Sequence, residues 1–466
     1  MIKCLFPIFL IYTICSAELY AQHIVDPQLR NPIQQAINSN RSIVGKGYEK
    51  DKTLLEAANV KSKSLPHITA NAFYGYLHSA GNLDLPTLNS PNNLISLFEG
   101  SKDFKSQGQA GLVSINATQV IFSGFQITNG RKAIMEKAKA QGLLLEADKE
   151  QIAKSVVQSF DQLMLLKEVD TLIEDSEKRL EKEHTKIIKA IENGLAIPYD
   201  RDKLTLAMLE LQAKKVELAG TRELIYQKLE QETSMPLEEL KKVDYTLENI
   251  LLENIDFGVE ARKELQALDA SQRAYEYVLR KEKGAALPQV FAFGSSAYAN
   301  IFNTSLNLKQ LPLLGDVNLR SNSLKFFPTF IVGVGAKWDI FNGNEHRNKV
   351  KSAQLDLVIN QNKRDDISEQ LQLLLKKNKV TYQTAIRSLA VNKQQVKVAN
   401  NNLYLAARQY QEGLVEVTER LAAENDYYKA SLAYYSQLLQ QRQSALELLH
   451  SSGKLLNSLF SSYETL

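Results

Sequence analysis

Apolar and polar positions alternate along four stretches of the chain. Ile68, Ala70, Ala72, Tyr74 and Tyr76 share one phase, opposite His67, Thr69 and Asn71. Val113, Ile115, Ala117 and Ile121 alternate with Ser114, Asn116, Thr118 and Val120. Further on, Phe330, Val332, Val334, Ala336, Trp338 and Ile340 oppose Gly333, Gly335, Lys337 and Asp339. The stretch from Gln289 to Ala299 alternates less cleanly. A period of two marks a strand with two unlike faces, so four strands of about ten to thirteen residues are predicted, arranged as two hairpins. The joining stretches, roughly 79–108 and 303–327, are rich in Asn, Ser, Leu and Pro and read as long loops. Two hairpins of a soluble sandwich would satisfy the alternation. Transmembrane strands would satisfy it too, since they cross in about 9–11 residues with an apolar outer face and a polar inner one. Long loops at one end favour the membrane reading.

Elsewhere the period lengthens to seven. Leu145, Ile152, Leu166, Ile173, Leu180 and Ile187 fall at multiples of seven, with Ser159 as the polar member. Leu204, Leu211, Leu218 and Ile225 continue the pattern, and Leu432, Leu439 and Leu446 repeat it near the end. Sustained heptads mean helices wound round neighbours. From Ile127 to Asn193 such a helix would be about 100 Å long at its rise per residue. Helix breakers agree with this layout: no Pro occurs from 92 to 197 or after 328, only Gly142, Gly194 and Gly220 lie between Gly130 and Gly258, and only Gly413 and Gly453 follow Gly343.

The landmarks come in pairs. VIFSGFQITNG at 120–130 corresponds to DIFNGNEHRNK at 339–349, with Gly124 and Gly343 in register 219 residues apart. ENGLAIPYD at 192–200 corresponds to QEGLVEVTE at 411–419, and Gly194 and Gly413 show the same separation. SLPHITA at 64–70 corresponds to ALPQVFA at 286–292, its Pro residues 222 apart. Three landmarks in one order indicate an internal duplication.

Composition narrows the classes. There are 56 basic and 53 acidic residues, net +3, without the clustered basic excess of a nucleic-acid binder. Mean hydropathy is −0.26, and no apolar run after the N-terminus approaches the length of a membrane helix. The first 21 residues, MIKCLFPIFLIYTICSAELYA, read as a secretory signal cleaved between Ala21 and Gln22. Its apolar core of about 11 residues is too short for an anchor. Lipidation at Cys15 is disfavoured by the bulky Ile14 before it. Cys4 and Cys15 are the only cysteines, so the mature chain would hold no disulfide.

Four strands are too few for a membrane barrel, whose smallest examples have eight, and open edges are not tolerated in lipid. Several copies must therefore pool strands around a symmetry axis. The order of signal, short helices, LP-strand, strand with F-x-G corner, long helix, G-L break and helix, given twice, resembles the TolC-like outer membrane efflux proteins. The resemblance covers essentially the whole mature chain and rests on the three duplicated landmarks.

That resemblance implies a mixed α and β membrane protein, internally duplicated. Long antiparallel helices would form a periplasmic α-barrel, and four strands per protomer would enter a shared 12-stranded barrel of a homotrimer. It divides the chain into a signal peptide at 1–21, N-terminal helices at 22–64, a first transmembrane strand hairpin at 65–122 and a first helical pair at 123–235. An equatorial segment at 236–257 and a helix at 258–286 follow. A second transmembrane strand hairpin at 287–341, a second helical pair at 342–452 and an equatorial tail at 453–466 complete it. Each F-x-G corner would be where a membrane strand becomes a tunnel helix. The implied function is an outer membrane channel exporting small toxic compounds or secreted proteins, the passive exit duct of a tripartite efflux or type I secretion system. Its partners would be a periplasmic adaptor, an inner-membrane pump and outer membrane lipid, with no cofactor and no chemistry.

The G-L breaks, Gly194-Leu195 and Gly413-Leu414, would be the periplasmic tip where the adaptor docks. In the family, acidic residues beyond the second turn ring a constriction; Glu419 matches one such position, while the next falls on Ala422. Glu416 lies close enough to compensate. A closed-state latch in the family joins an acid, a Tyr and an Arg; Asp200 and Tyr410 match the first two, and the Arg position holds Val415. Independently of any family, symmetry-related carboxylates in a narrow wet pore repel anions and gather cations. The plainer readings are a solvated helix face for Glu416 and Glu419, and a first-turn acid favoured by the helix dipole for Asp200.

No catalytic constellation stands out. The His residues at 23, 67, 78, 184, 346 and 450 are not spaced as a metal pair on one helix turn. SSGKL at 451–455 lacks the upstream Gly of a phosphate loop, and GVGAKW at 333–338 is better explained as a strand. Trp338 and its aromatic neighbours fit an interfacial belt or core packing equally. A periplasmic adaptor, with its single helical hairpin, or a secreted coiled-coil scaffold would explain the heptads but not the paired LP-strands and corners.

Overall fold

Proline or glycine lies at or near most ends of the long elements. The computed structural model describes residues 26–460 except 85, 90, 92–95, 99, 253–256 and 312–314. The expected signal at 1–21, with Cys4 and Cys15, lies outside the described residues, as do 461–466 and 253–256 of the expected equatorial segments. Helices α1 (Arg30–Ser39) and α2 (Arg41–Ser62) lead into strand β1 (His67–Asp84). A short pair, β2 (Leu88–Asn89) and β3 (Ser96–Phe98), precedes β4 (Ser101–Phe122). Then come α3 (Gln126–Glu192), α4 (Pro198–Thr233), the single turn α5 (Leu237–Leu240) and α6 (Lys263–Gly284). Strands β5 (Gln289–Leu311) and β6 (Gly315–Lys337) are followed by α7 (Glu345–Gln411), α8 (Val417–Ser451) and α9 (Leu455–Phe460). Both α3 and α7 have 67 residues.

The chain divides into two compact units. One takes Glu49–Ala140 and Leu268–Lys363 and contains the sheet. Its four long strands run in the order β1-β4-β5-β6, every neighbouring pair antiparallel. They have 18, 22, 23 and 23 residues, about twice the length expected from the alternation. Most of the stretches read as loops, 79–108 and 303–327, are therefore strand. The reason is physical: ladder hydrogen bonds are made by the backbone and persist where both faces have become polar. Hydropathy alternation marks only the part of a strand whose faces differ.

Register aligns the apolar phases. Ile68 pairs with Ala117, Ala70 with Ile115 and Ala72 with Val113. Across the sheet Ala117 meets Gly294 and Ile115 meets Ser296, which in turn face Val332 and Phe330. β5 thus places small residues on a face its neighbours make apolar, which accounts for its weak alternation. On the other face Thr69, Asn71, Asn116 and Ser295 come together, and Ser295 donates to Asn116 Oδ1 at 2.7 Å. There Phe291 and Phe293 lie over Gly335 and Gly333 opposite them, covering bare backbone. The apolar face is uncovered: Ile68 is 68% exposed and Val332 87%. Pro328 sits on edge strand β6 where the β5–β6 register shifts, the place in a sheet that tolerates a missing donor.

The other unit takes Gln141–Ala267 with the chain up to Tyr48 and from Arg364 on. Its core uses the heptad stripe: Leu166, Ile173, Leu180 and Ile187 of α3, with Leu204, Leu211 and Ile225 of α4, are buried. The polar member Ser159 is also buried, and Lys228 donates to its hydroxyl at 3.0 Å. Phe160 anchors a cluster with Leu29 just before α1, Ile33 of α1, Leu229 of α4 and Leu446 and Leu449 of α8. The irregular backbone after α5 is held by side chains. Gln441 Nε2 donates to Ile250 O at 2.7 Å and its Oε1 accepts from Ile250 N at 3.0 Å, while Leu252 N donates to Tyr382 Oη at 2.8 Å.

Candidate functional site

The two G-L breaks fold into the same structure. At the end of α3, Gly194 takes φ +72°, Leu195 N donates to Ala190 O at 2.8 Å and Gly194 N to Ile191 O at 3.0 Å. At the end of α7, Gly413 takes φ +71°, Leu414 N donates to Gln409 O at 2.9 Å and Gly413 N to Tyr410 O at 3.1 Å. This is a Schellman closure, in which a left-handed residue lets two amides reach back to orphan carbonyls. The side chain after the glycine usually folds onto the helix. Here it does not: Leu195 is 82% exposed and Leu414 73%.

After each turn an extended residue starts the next helix. Ile197 (φ −111°, ψ 154°) precedes Pro198, whose missing N–H costs nothing in a first turn. Glu416 (φ −78°, ψ 163°) precedes Val417 and accepts from Thr418 Oγ1 at 3.3 Å. Asp200 N donates to Ile197 O and Glu419 N to Glu416 O, each at 3.1 Å. Asp200 and Glu419 therefore hold equivalent positions in the two repeats, in the first turns of α4 and α8, where a carboxylate meets the positive end of the helix.

The turns face a common groove of about 1040 Å³. It brings together Leu195, Asp200, Tyr410, Gly413 and Glu416 among the expected residues. Gly194, Leu414 and Glu419 are exposed beside it rather than in its wall. No hydrogen bond joins Asp200 to Tyr410 among the described residues. Their proximity is electrostatic: burial, then the carboxylates of Glu183 and Asp200, push the Tyr410 phenol above its ordinary range, while Arg420 acts in the opposite sense.

Behind the groove lies a cluster that the sequence did not single out. Arg179 grips Glu424 through Nε and Nη2 at 3.0 and 2.8 Å, and Nη2 also reaches Ser176 Oγ at 2.9 Å. Arg420, 3% exposed, pairs with the same carboxylate at 3.2 Å. Its Nε and Nη1 have no partner among the described residues, nor does Oε2 of buried Glu183. The spacing of Arg420 and Glu424 is visible as RLAAE, but an i,i+4 pair ordinarily reads as a solvated helix face. Only burial distinguishes it. An arginine thus stands near Tyr410 even though position 415 is Val.

No helix among the described residues is long and apolar enough to cross a membrane. Among the described residues no group of His, Cys, Asp and Glu is arranged to hold a metal ion.

Comparison with known proteins points one way. The sequence model of the family described as outer membrane efflux protein matches residues 259–454. No curated protein matches the sequence. Among solved structures, a membrane protein from Pseudomonas aeruginosa is similar at TM-score 0.71 and 14% identity, over 92% of this chain and 94% of that one. The Campylobacter jejuni CmeC outer membrane channel is similar at TM-score 0.69 and 15% identity, over 92% and 86%. The Neisseria gonorrhoeae MtrE outer membrane channel, in its open state, is similar at TM-score 0.67 and 14% identity, over 92% and 90%. At such identities the structures speak for the fold, and the family model speaks for the sequence of the second repeat. The stretch 259–454 is thus similar in sequence to the outer membrane efflux proteins, and the chain as a whole shares its fold with solved outer membrane channels.

Proposed function

We propose that the protein is the passive exit duct of a tripartite efflux or type I secretion system, working as a homotrimer that exports small toxic compounds or secreted proteins. The observation that carries the reading is the sheet. Both of its outer strands, β1 and β6, have an open edge, and their directions are opposite, so copies arranged in a ring can pair β6 with the next β1 in antiparallel fashion. The exposed apolar face suits lipid, and the Asn-, Ser- and Thr-bearing face suits a wet lumen. The helices support it as well. Leu206, Leu209, Val216 and Leu224 of α4, and Leu373, Val380, Val391 and Val398 of α7, form apolar stripes that one chain leaves exposed.

In this reading, the described residues of 236–257 and 453–466 form the equatorial region and the turns form the periplasmic tip. The uncovered Leu195 and Leu414, beside Gly194 and Gly413, offer the adaptor of an inner-membrane pump apolar anchors. Glu416 and Glu419 ring the constriction, and Asp200 with Tyr410 latches it, aided by Arg420 in place of an arginine at 415. The test is native mass after detergent extraction from outer membranes, followed by single-channel recording. A particle of about three chains whose cation preference weakens in Glu419→Gln is expected. A water-soluble single chain would overturn the duct, and an unchanged reversal potential would remove Glu419 from the filter.

A further inference from the structure

The first strand-to-helix corner is complete within one chain, and the second is not. At the first, α3 begins between the ends of α2 and α6, around a cavity of about 430 Å³. Val60 of α2 with Lys63 just after it, and Val278 and Lys281 of α6, form two of its walls. Val120, Ser123, Ile127, Gly130 and Ala133 form the third. At the second corner the opening is larger, about 920 Å³. Shifting that third wall by the repeat length of 219 gives Asp339, Asn342, His346, Lys349 and Ser352, and all five line the second opening. Shifting Val60 and Lys63 by 222, the spacing of the LP pair, gives Glu282 and Ala285, which line it too.

Contacts confirm this equivalence. Gln119 Nε2 donates to Ser64 O at 3.4 Å, and its counterpart Trp338 donates through Nε1 to Ala286 O at 3.0 Å. A Cβ on Gly130 would lie 3.7 Å from Val60, and its counterpart Lys349 feels the carboxylate of Glu282, the counterpart of Val60. Two walls of the second site are thus present. The missing wall corresponds to α6, which in the first site puts Lys281 within 3.6 Å of a Cβ on Gly130 and sets the Gly284 carbonyl against Gly124. At the second corner a Cβ on Gly343 meets nothing within 4 Å.

We infer that α2 of a neighbouring copy is that wall, an assignment that rests on the ring of copies put forward above. Subtracting 222 from Val278, Lys281 and Gly284 gives Glu56, Asn59 and Ser62, which lie on one helix face at i, i+3, i+6 spacing and are exposed in the single chain. Asn59 of the neighbouring copy faces Lys349, and its Ser62 closes on Gly343. The third wall is largely apolar at the first corner, whereas at the second it carries charges of both signs, Arg347 and Lys349 beside Asp339 and Glu345, with Lys349 held by Glu345 at 2.6 Å. The site between copies is the polar twin of an apolar site within the chain.

The test is thiol cross-linking of full-length protein extracted from outer membranes, using a short bis-maleimide. The unsubstituted chain, whose cysteines are Cys4 and Cys15, is the blank. The control pair Gly130→Cys with Lys281→Cys should link within one chain and leave the denatured mass unchanged. Asn59→Cys with Lys349→Cys should give products of two and three chains, and Glu56→Cys with Ser352→Cys provides a second pair should the first disturb folding. Mixing chains that carry Asn59→Cys alone with chains that carry Lys349→Cys alone should yield a two-chain product. Single-chain products only, from particles whose native mass is several chains and whose control pair links, would overturn the contact while leaving the duct. Particles of one-chain mass would overturn both.

Discussion

Arg442 and Asp161 lie 281 residues apart and form a two-pronged ion pair deep in the helical unit, Nε to Oδ2 at 2.9 Å and Nη2 to Oδ1 at 2.7 Å. Asp161 is 0% exposed. Tyr245 donates a third bond to Oδ1 at 2.7 Å, and Arg442 Nη1 donates to Glu248 O at 2.7 Å. The pair thereby ties α3 and α8 to the irregular backbone after α5. Burial and the adjacent Asp161 carboxylate push the Tyr245 phenol well above its ordinary range, so it stays a donor.

Breaking one side of this pair strands a buried charge. Arg442→Met should lower stability by about 3–5 kcal/mol, the usual consequence of removing one partner of a buried ion pair. Thermal melting followed by far-UV circular dichroism should show a large drop. The double variant Arg442→Met with Asp161→Leu should melt above the single one. Equal melting of single and double variants would mean that Asp161 is not desolvated as the structure has it.

His450 makes the fold sensitive to acid. Burial, then the charges of Lys154 and Arg262, hold its pKa down to about 3 against an ordinary 6.5. Lys154 is itself paired with Glu447 at 2.9 Å. Above pH 6.5 both folded and unfolded chains carry a neutral imidazole; between 6.5 and about 3 only the unfolded chain binds the proton. Stability should therefore be complete above pH 6.5 and fall as pH drops, by up to about 1.4 kcal/mol per unit. Melting between pH 6.5 and 5, above the carboxylate range, should flatten in His450→Asn.

The two corner glycines should respond differently to a methyl group. Gly124 and Gly343 both take φ +63°, so alanine at either carries a left-handed penalty of about 1–2 kcal/mol. A Cβ on Gly124 would also overlap the carbonyl oxygen of Gly284, backbone that cannot step aside. Gly124→Ala should cut the yield of folded protein in the outer membrane sharply. Gly343→Ala should leave the chain folded and act on assembly instead, read as the fraction of multi-chain particles.

Trp338 is the only tryptophan, 59% exposed beside exposed Ile340 and Phe341 at the end of the apolar sheet face. If this corner sits at the lipid boundary, its emission should be quenched by brominated lipid more than by aqueous acrylamide. Trp338→Phe removes the donor to Ala286 O and should weaken the corner by about 1 kcal/mol. Stronger quenching by acrylamide would place the corner in water.

Local order along the chain was enough for much of this. Alternation at Ile68–Tyr76 and Phe330–Ala336 marked strands, though its continuation through Trp338 and Ile340 lies past the end of β6 at Lys337; heptads from Leu145 to Ile187 marked a long helix, and paired Gly124/Gly343 and Gly194/Gly413 marked the duplication. Such signals are legible because side-chain period and the backbone freedom of Gly and Pro are properties of neighbouring residues. The tertiary structure alone decided the rest. Strand length was set by ladder partners, which continue the sheet after alternation fades. The burial of Arg420, Glu424 and Arg442 was set by helices hundreds of residues away, and the same letters on an isolated helix would face water. The unequal completeness of two corners with nearly the same motif follows from which elements each repeat finds beside it. Those neighbours are chosen by long-range packing, which no local pattern encodes.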